Sequence, residues 1–245
     1  MSHCLLLDIE GTTCPISFVS DVLFPYAQTQ LEMFLQQQGH KPVIAAIVSE
    51  AWDEWDNDPD PKQQALLQQV PTSLRKTSQA VVPYLHALIQ ENRKSTALKE
   101  LQGHIWRQGF DNGAIEADFY PETIHCLKQW KQLGWKLAVY SSGSVQAQQL
   151  LYGHTHAGDL RKYFCAWFDT RTGNKKDPKS YRAISKKLEI TPAKITFISD
   201  NGAECDAAAA AGLKVLFSLR DDNPDQDPRA HRVITSLHQV VEILE

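Results

Sequence analysis

The sequence predicts an α/β protein, a parallel sheet with helices on both faces, interrupted early by a helical insert. Three observations lead there. From Tyr120 to Leu219, short apolar runs alternate with amphipathic stretches of helical period. Several of those runs end in Ser-, Gly- or Asp-containing turns. The segment 16–115 shows helical spacing and no convincing strand. Strand–helix alternation implies crossover connections, and these place helices over a parallel sheet.

The elements follow in order. Cys4 to Leu7 is a short apolar run that stops at Asp8, with Gly11 and two threonines behind it, and it reads as a buried strand. Val19, Val22, Leu23, Ala27, Leu31 and Phe34 recur at helical spacing until Gly39. Val43, Ile44, Ile47, Val48, Ala51, Trp52 and Trp55 make a second helix. Asn57-Asp58-Pro59-Asp60-Pro61 is a breaker. Helical stretches follow near Gln79–Gln90 and Thr96–Gln108. Then come a helix at Glu122–Leu133 closed by Gly134, a strand at Lys136–Tyr140 and a helix at Val145–Tyr152. The pattern continues with a strand at Cys165–Asp169, a helix at Lys179–Leu188 and a strand at Lys194–Ser199. An alanine-rich helix around Ala207–Ala211 ends at Gly212, and Leu213–Leu219 is the last strand. The expected division is a core of residues 1–15 and 116–245, with the insert at 16–115. Arg220–Asp227, rich in Asp and Pro, is the most polar stretch.

The bulk composition narrows the function classes. The 245 residues are 42% hydrophobic and 22% charged, enough to bury a core without staples. A net charge of -4 offers no electrostatic reason to expect nucleic acid or an anionic membrane as partner. The five cysteines have no CxxC spacing and read as free thiols of a reducing compartment. No secretory leader and no apolar run near the ~20 residues of a membrane span is visible. A cytoplasmic protein is expected.

Ligands of an open parallel sheet gather at the carboxyl ends of its strands. The expected strand ends deliver Asp8 with Glu10, Ser141 with Ser142, a loop with Lys175 and Lys176, and Asp200 with Glu204 and Asp206 nearby. These residue types suit phosphoryl transfer. A carboxylate can attack phosphorus and form an aspartyl-phosphate. Mg2+ on carboxylate oxygens would screen the repulsion between them. A lysine and a serine hydroxyl would neutralise and bind the phosphate oxygens. A second acid must protonate the leaving oxygen. Glu10 is two residues from Asp8, on the same side of an extended segment. Singly, each feature is an ordinary cap, turn or surface charge; their succession at four strand ends carries the reading.

That succession resembles the four motifs of the haloacid dehalogenase (HAD) superfamily: Asp8-Ile9-Glu10-Gly11-Thr12-Thr13, Ser141-Ser142-Gly143, Lys175, and Phe197-Ile198-Ser199-Asp200. Most phosphatases of that superfamily carry Asp where Glu10 stands. This departure, with the longer run DIEGTTCPISFVSDVLFPYA, resembles the enolase-phosphatase family within it. So do ALKELQGHIW, VYSSGSVQAQQLL and FDTRTGNKKDPKSY. The resemblance implies a Rossmann-like core with a helical cap, Mg2+ as cofactor, a monomer, and enolisation followed by dephosphorylation of a phosphorylated diketone. By position it makes Asp8 nucleophile and metal ligand. Glu10 becomes acid/base and offers the metal its main-chain carbonyl, while Asp200 is the second metal carboxylate. Ser141 and Ser142 bind phosphate and Lys175 neutralises it. The resemblance points to Lys175 over Lys176, because the family's Gly-x-Lys and Lys-to-Ser-Tyr spacings land on Gly173 and Ser180-Tyr181. Asn-Gly-Ala-Glu-Cys-Asp after Asp200 departs from the family pattern and leaves Glu204 without an assigned role.

Glu10 is one candidate for the enolisation base and Lys99 a weaker one, with a solvated helix lysine as its plainer reading. His154 and His156 read as loop histidines, since Mg2+ prefers oxygen. Trp52, Trp55 and Trp106 read as core of the insert. A generic HAD-type phosphomonoesterase is the alternative enzyme. A receiver-like signalling module would place its acceptor Asp after a middle strand, and a dinucleotide-binding domain would need GxGxxG after the first.

Overall fold

The computed structural model describes residues 3–245. The chain divides into two compact units. One runs up to Ser20 and resumes over Glu116–Glu245; the other is Asp21–Ile115.

The first unit is an α/β layer structure. Its strands are β1 (Cys4–Leu7), β2 (Lys136–Tyr140), β3 (Phe164–Phe168), β4 (Ile195–Ser199), β5 (Lys214–Ser218) and β6 (Arg232–Ile234). They form one sheet in the order β3-β2-β1-β4-β5-β6, and every pair is parallel. β1 and β4 are buried along their whole length, as central strands covered on both faces must be. Leu7 pairs with Val139 on one side and Ile198 on the other. Strand order reverses at β1, so the chain leaving Leu7 enters the crevice where open α/β sheets bind ligands.

The second unit is all helical. A π-helical turn, Phe18–Leu23, leads into α1 (Phe24–Gln38), followed by α2 (Pro42–Asp56), α3 (Pro61–Gln68), α4 (Val82–Gln90) and α5 (Thr96–Asp111). Its core gathers Leu31, Leu35, Trp52, Trp55, Leu85 and Leu101. Trp52 stacks on Trp55 at 5.1 Å and Trp55 on Tyr84 at 5.0 Å, so these two tryptophans are core. Trp106, partly buried, donates to the Leu23 carbonyl at 2.7 Å.

The remaining helices belong to the sheet unit: α6 (Thr123–Gln132), α7 (Val145–Gly153), α8 (Pro178–Leu188), α9 (Gly202–Ala210) and α10 (Gln239–Leu244). Four elements depart from expectation. The Asn57–Pro61 breaker is also a start: Asp60 accepts from the Lys62 N–H and Pro61 opens α3. The single helical pattern from Val19 resolves into a π-helical turn followed by α1. β6 and α10 were not expected. β6 has only three residues on a sheet edge, too few for a periodic signal.

Candidate active site

Asp8 sits one residue past β1 and is buried, its main-chain N–H still bonded to the Ile198 carbonyl at 2.9 Å. The next residues turn sharply. The N–H groups of Thr12, Thr13 and Cys14 all donate to the Ile9 carbonyl, and Gly11 holds φ at +66°. A side chain on Gly11 would also overlap the Asp200 carboxylate and Asn223 Oδ1. Glycine is therefore required twice at this position, by conformation and by space.

The Asp8 carboxylate is held at both oxygens. Oδ1 accepts from the Ile9 N–H at 2.8 Å. Oδ2 accepts from Lys175 Nζ at 2.7 Å and from Ser199 Oγ at 2.9 Å. Lys175 also meets Glu204 Oε2 at 2.6 Å, and Ser199 Oγ lies 3.1 Å from the same oxygen. Lys175 and Ser199 thus bridge two carboxylates. Burial alone would lower the lysine's pKa, but Asp8 and Glu204 outweigh it and hold the ammonium charged.

Lys175 is buried and Lys176 exposed, and the local sequence accounts for it. Gly173 adopts φ +147°, where a side chain would overlap Ser180 Oγ. Ser180 Oγ donates to the Asn174 carbonyl at 2.8 Å, and Tyr181 OH donates to the Lys175 carbonyl at 2.6 Å. The Ser-Tyr pair at the start of α8 therefore clamps the lysine loop. Tyr140 and Phe197 place their rings 5.8 and 5.9 Å from the ammonium.

The Ser141 turn leaves β2 beside Asp8. Ser141 is buried and Ser142 exposed. The Ser141 N–H donates to the Phe168 carbonyl at 3.2 Å, and its Oγ accepts from the Gly143 N–H at 3.3 Å. Gln148 fixes the turn from behind, donating to the carbonyls of Gly143 and Phe168, each at 2.8 Å. Ser144 caps α7 through the Ala147 N–H.

On the other side, Asp200 follows β4 and is buried. Burial first, then the charge of Asp8, push its carboxyl up to about 8. The same causes in the same order raise Glu10 and Glu204. Four carboxylates, those of Asp8, Glu10, Asp200 and Glu204, thus crowd around one ammonium. Such a surplus of buried negative charge is relieved by protonation or by a cation. The oxygen-only donor set suits a hard divalent ion. The Asp200 carboxylate and the unpartnered Asn223 Oδ1 both press closely on Gly11, which adds Asn223 Oδ1 to the acceptors gathered near Asp200. Among the described residues no three His, Cys, Asp or Glu side chains converge on one point. A cation here would take Asp8 and Asp200, with main-chain and solvent oxygens completing its shell.

The structure brings together Asp8, Lys175, Glu204 and Asp200, with Glu10 close enough to feel the charge of Asp8. His154 turns its Nδ1 to the Leu150 carbonyl at 2.9 Å. Asp206 pairs with Arg229 and His231 on the surface. Lys99 lies exposed on α5, in the helical unit. Sequence reasoning missed Ser199, Gln148 and Asn223. Ser199 sits inside the fourth motif, and its place directly before Asp200 was the available signal. Gln148 and Asn223 carried none.

An all-parallel sheet with an acid after β1, a lysine loop after β3 and an acid after β4 defines a class. A model of the haloacid dehalogenase-like hydrolases matches residues 3–212, and the chain belongs to that family. Its curated relatives are more particular. It is 52% identical to enolase-phosphatase E1 of Parasynechococcus marenigrum over 98% of both chains, and 51% identical to that of Prochlorococcus marinus over the same share. Within the hydrolases, then, it falls in the enolase-phosphatase E1 family. Among solved structures it resembles the UTR4 protein of Saccharomyces cerevisiae, with a TM-score of 0.73 and 31% identity, covering 96% of this chain and 98% of that one.

Proposed function

We propose that the chain is a Mg2+-dependent enolase-phosphatase. It converts 2,3-diketo-5-methylthiopentyl-1-phosphate to acireductone and phosphate in methionine salvage. The observation that carries this is the Asp8 carboxylate, buried, gripped by Lys175 and Ser199, with its charge felt by Glu10 two residues on. The curated relatives' name, enolase-phosphatase E1, supports the pairing of enolisation with phosphate release.

Asp8 acts as the nucleophile on phosphorus and carries the phosphoryl group as an acyl phosphate. Lys175 offsets the charge that develops on the phosphoryl oxygens, while Glu204 and Ser199 hold the lysine and Asp8 in place. Ser141 and Ser142 bind the phosphate from the β2 turn, which Gln148 stiffens. Glu10, its carboxyl raised by burial and by Asp8, can protonate the departing enol oxygen and then take a proton from water. It is also our assigned base for enolisation. Asp8, Asp200 and the Glu10 carbonyl would hold Mg2+, which would supply charge screening at the phosphate and polarisation of a substrate oxygen. The enzyme works as a cytoplasmic monomer on a small phosphorylated substrate. Its cysteines are free thiols, and no described helix is long and apolar enough to cross a membrane.

The test is to mix the purified protein with the diketo phosphate and follow enol absorbance and phosphate release together. Acireductone formed with phosphate supports the reading. Phosphate released with no enol or acireductone would leave a generic phosphomonoesterase of this family.

A further inference from the structure

Tyr140 is the last residue of β2, directly before Ser141, and is fully buried. Its hydroxyl donates to the Gly173 carbonyl at 3.1 Å, and its ring lies 5.8 Å from the Lys175 ammonium. Burial raises the pKa of the phenol, so the group keeps its proton and remains a donor. Ser180 donates to the Asn174 carbonyl and Tyr181 to that of Lys175, so three successive carbonyls of the lysine loop each accept a side-chain hydroxyl. The Tyr181 ring stands edge-on to those of Tyr140 and Phe197, with centroids 5.5 and 5.1 Å away. The loop is thus fastened to β2 on one side and to α8 on the other.

A lysine is a point charge on a flexible stem, so its aim depends on where its main chain is held. In the resting site Asp8 and Glu204 steady the ammonium. Once Asp8 carries the phosphoryl group as an acyl phosphate, its carboxylate charge is gone and the negative charge sits on the phosphoryl oxygens. Lys175 must then stay in place without one of its two partners. We infer that Tyr140 is a positioning residue for Lys175, its hydroxyl fixing the lysine loop so that the ammonium meets the phosphoryl group during transfer. This rests on the roles of Asp8 and Lys175 proposed above. The bond from Tyr140 to Gly173 does not involve Asp8, so the phosphoryl step leaves it intact. One strand end then serves the phosphate twice: Ser141 binds it, and the residue before Ser141 sets the lysine.

The experiment is steady-state phosphate release from the diketo phosphate with excess MgCl2, with melting temperatures measured alongside. Tyr140→Phe keeps the ring and removes the hydroxyl; kcat should fall about 10-fold with KM within about 2-fold of wild type. Tyr84→Phe is the control, since it removes another buried tyrosine hydroxyl, one that donates to Asp58 in the helical unit at the same 3.1 Å. It should lower the melting temperature without lowering kcat. In a Lys175→Met background, Tyr140→Phe should cost less than about 2-fold more, because the residue acts through the lysine. Unchanged kcat in Tyr140→Phe overturns the inference. So does an equal loss of kcat in Tyr84→Phe, or a further loss in the Lys175→Met background as large as in the wild type. If Lys175→Met fails to fold, the two tyrosine variants decide alone. A Tyr140→Phe that fails to fold makes the hydroxyl a structural anchor and overturns the inference as well. A wild type that releases no phosphate, or a Lys175→Met enzyme of full activity, would instead refute the reading on which the inference depends.

Discussion

Two buried acids, one in each unit, show how differently the same side chain can be used. Asp58 in the helical unit meets Arg93 at 2.8 Å, Tyr84 OH at 3.1 Å and the Asp60 N–H at 2.9 Å. Burial opposes its charge, but these three partners together outweigh burial and hold its carboxyl below the usual range. Asp200 in the sheet unit is buried beside Asp8, with one lysine serving the whole cluster, and its carboxyl rises to about 8. A carboxylate whose partners are matched is structure. A carboxylate buried in surplus negative charge is relieved only by a proton or a cation, and the rest of the fold must bear the cost.

The contrast can be broken by mutation. The largest effect is expected at Asp8. Asp8→Asn should lower phosphate release by roughly 10³-fold or more while the melting temperature stays at or above wild type, because the variant removes one charge from the crowd. Steady-state assay with calorimetry checks both. Lys175→Met comes next: activity should fall by roughly 10²-fold and stability by about 3 kcal/mol, since two buried carboxylates lose their cation. Denaturant melts report the second number.

The two acids themselves should respond in opposite directions. Asp200→Asn should raise the metal-free melting temperature and weaken Mg2+ binding. Asp58→Asn should cost about 2 kcal/mol and leave Mg2+ affinity unchanged. Equal shifts of the same sign in both variants would erase the distinction. The smallest effect is a pH dependence at Asp58. Its folded pKa lies below that of the unfolded chain, so its stabilisation is complete above about pH 4 and fades as pH falls through the folded value. The stability gap between wild type and Asp58→Asn should therefore close below about pH 4. Urea melts across that range measure it.

Legibility in the sequence followed the physics of each residue. Central strands such as β1 and β4 are buried on both faces, and their continuous apolar runs announce them. β6, three residues long, has no period to read. Lys175 was readable against Lys176 because Gly173 and Ser180-Tyr181 flank it at fixed spacing, and those residues do clamp its loop. Glu204 was left without a role because its neighbours depart from the family pattern. Its place became visible only when α9 set it beside Lys175. Gln148 and Asn223 act by tying carbonyls of separate loops together, a task that leaves no trace in local periodicity.

The most direct test of Asp8 as the covalent centre is chemical capture. The enzyme is mixed with Mg2+ and the diketo phosphate, quenched during turnover and reduced with borohydride, which converts an aspartyl-phosphate to homoserine. Peptide mass spectrometry should find homoserine at position 8, dependent on substrate and Mg2+. An enzyme quenched in turnover with Asp8 unmodified, or with homoserine at Asp200 instead, would contradict the assignment.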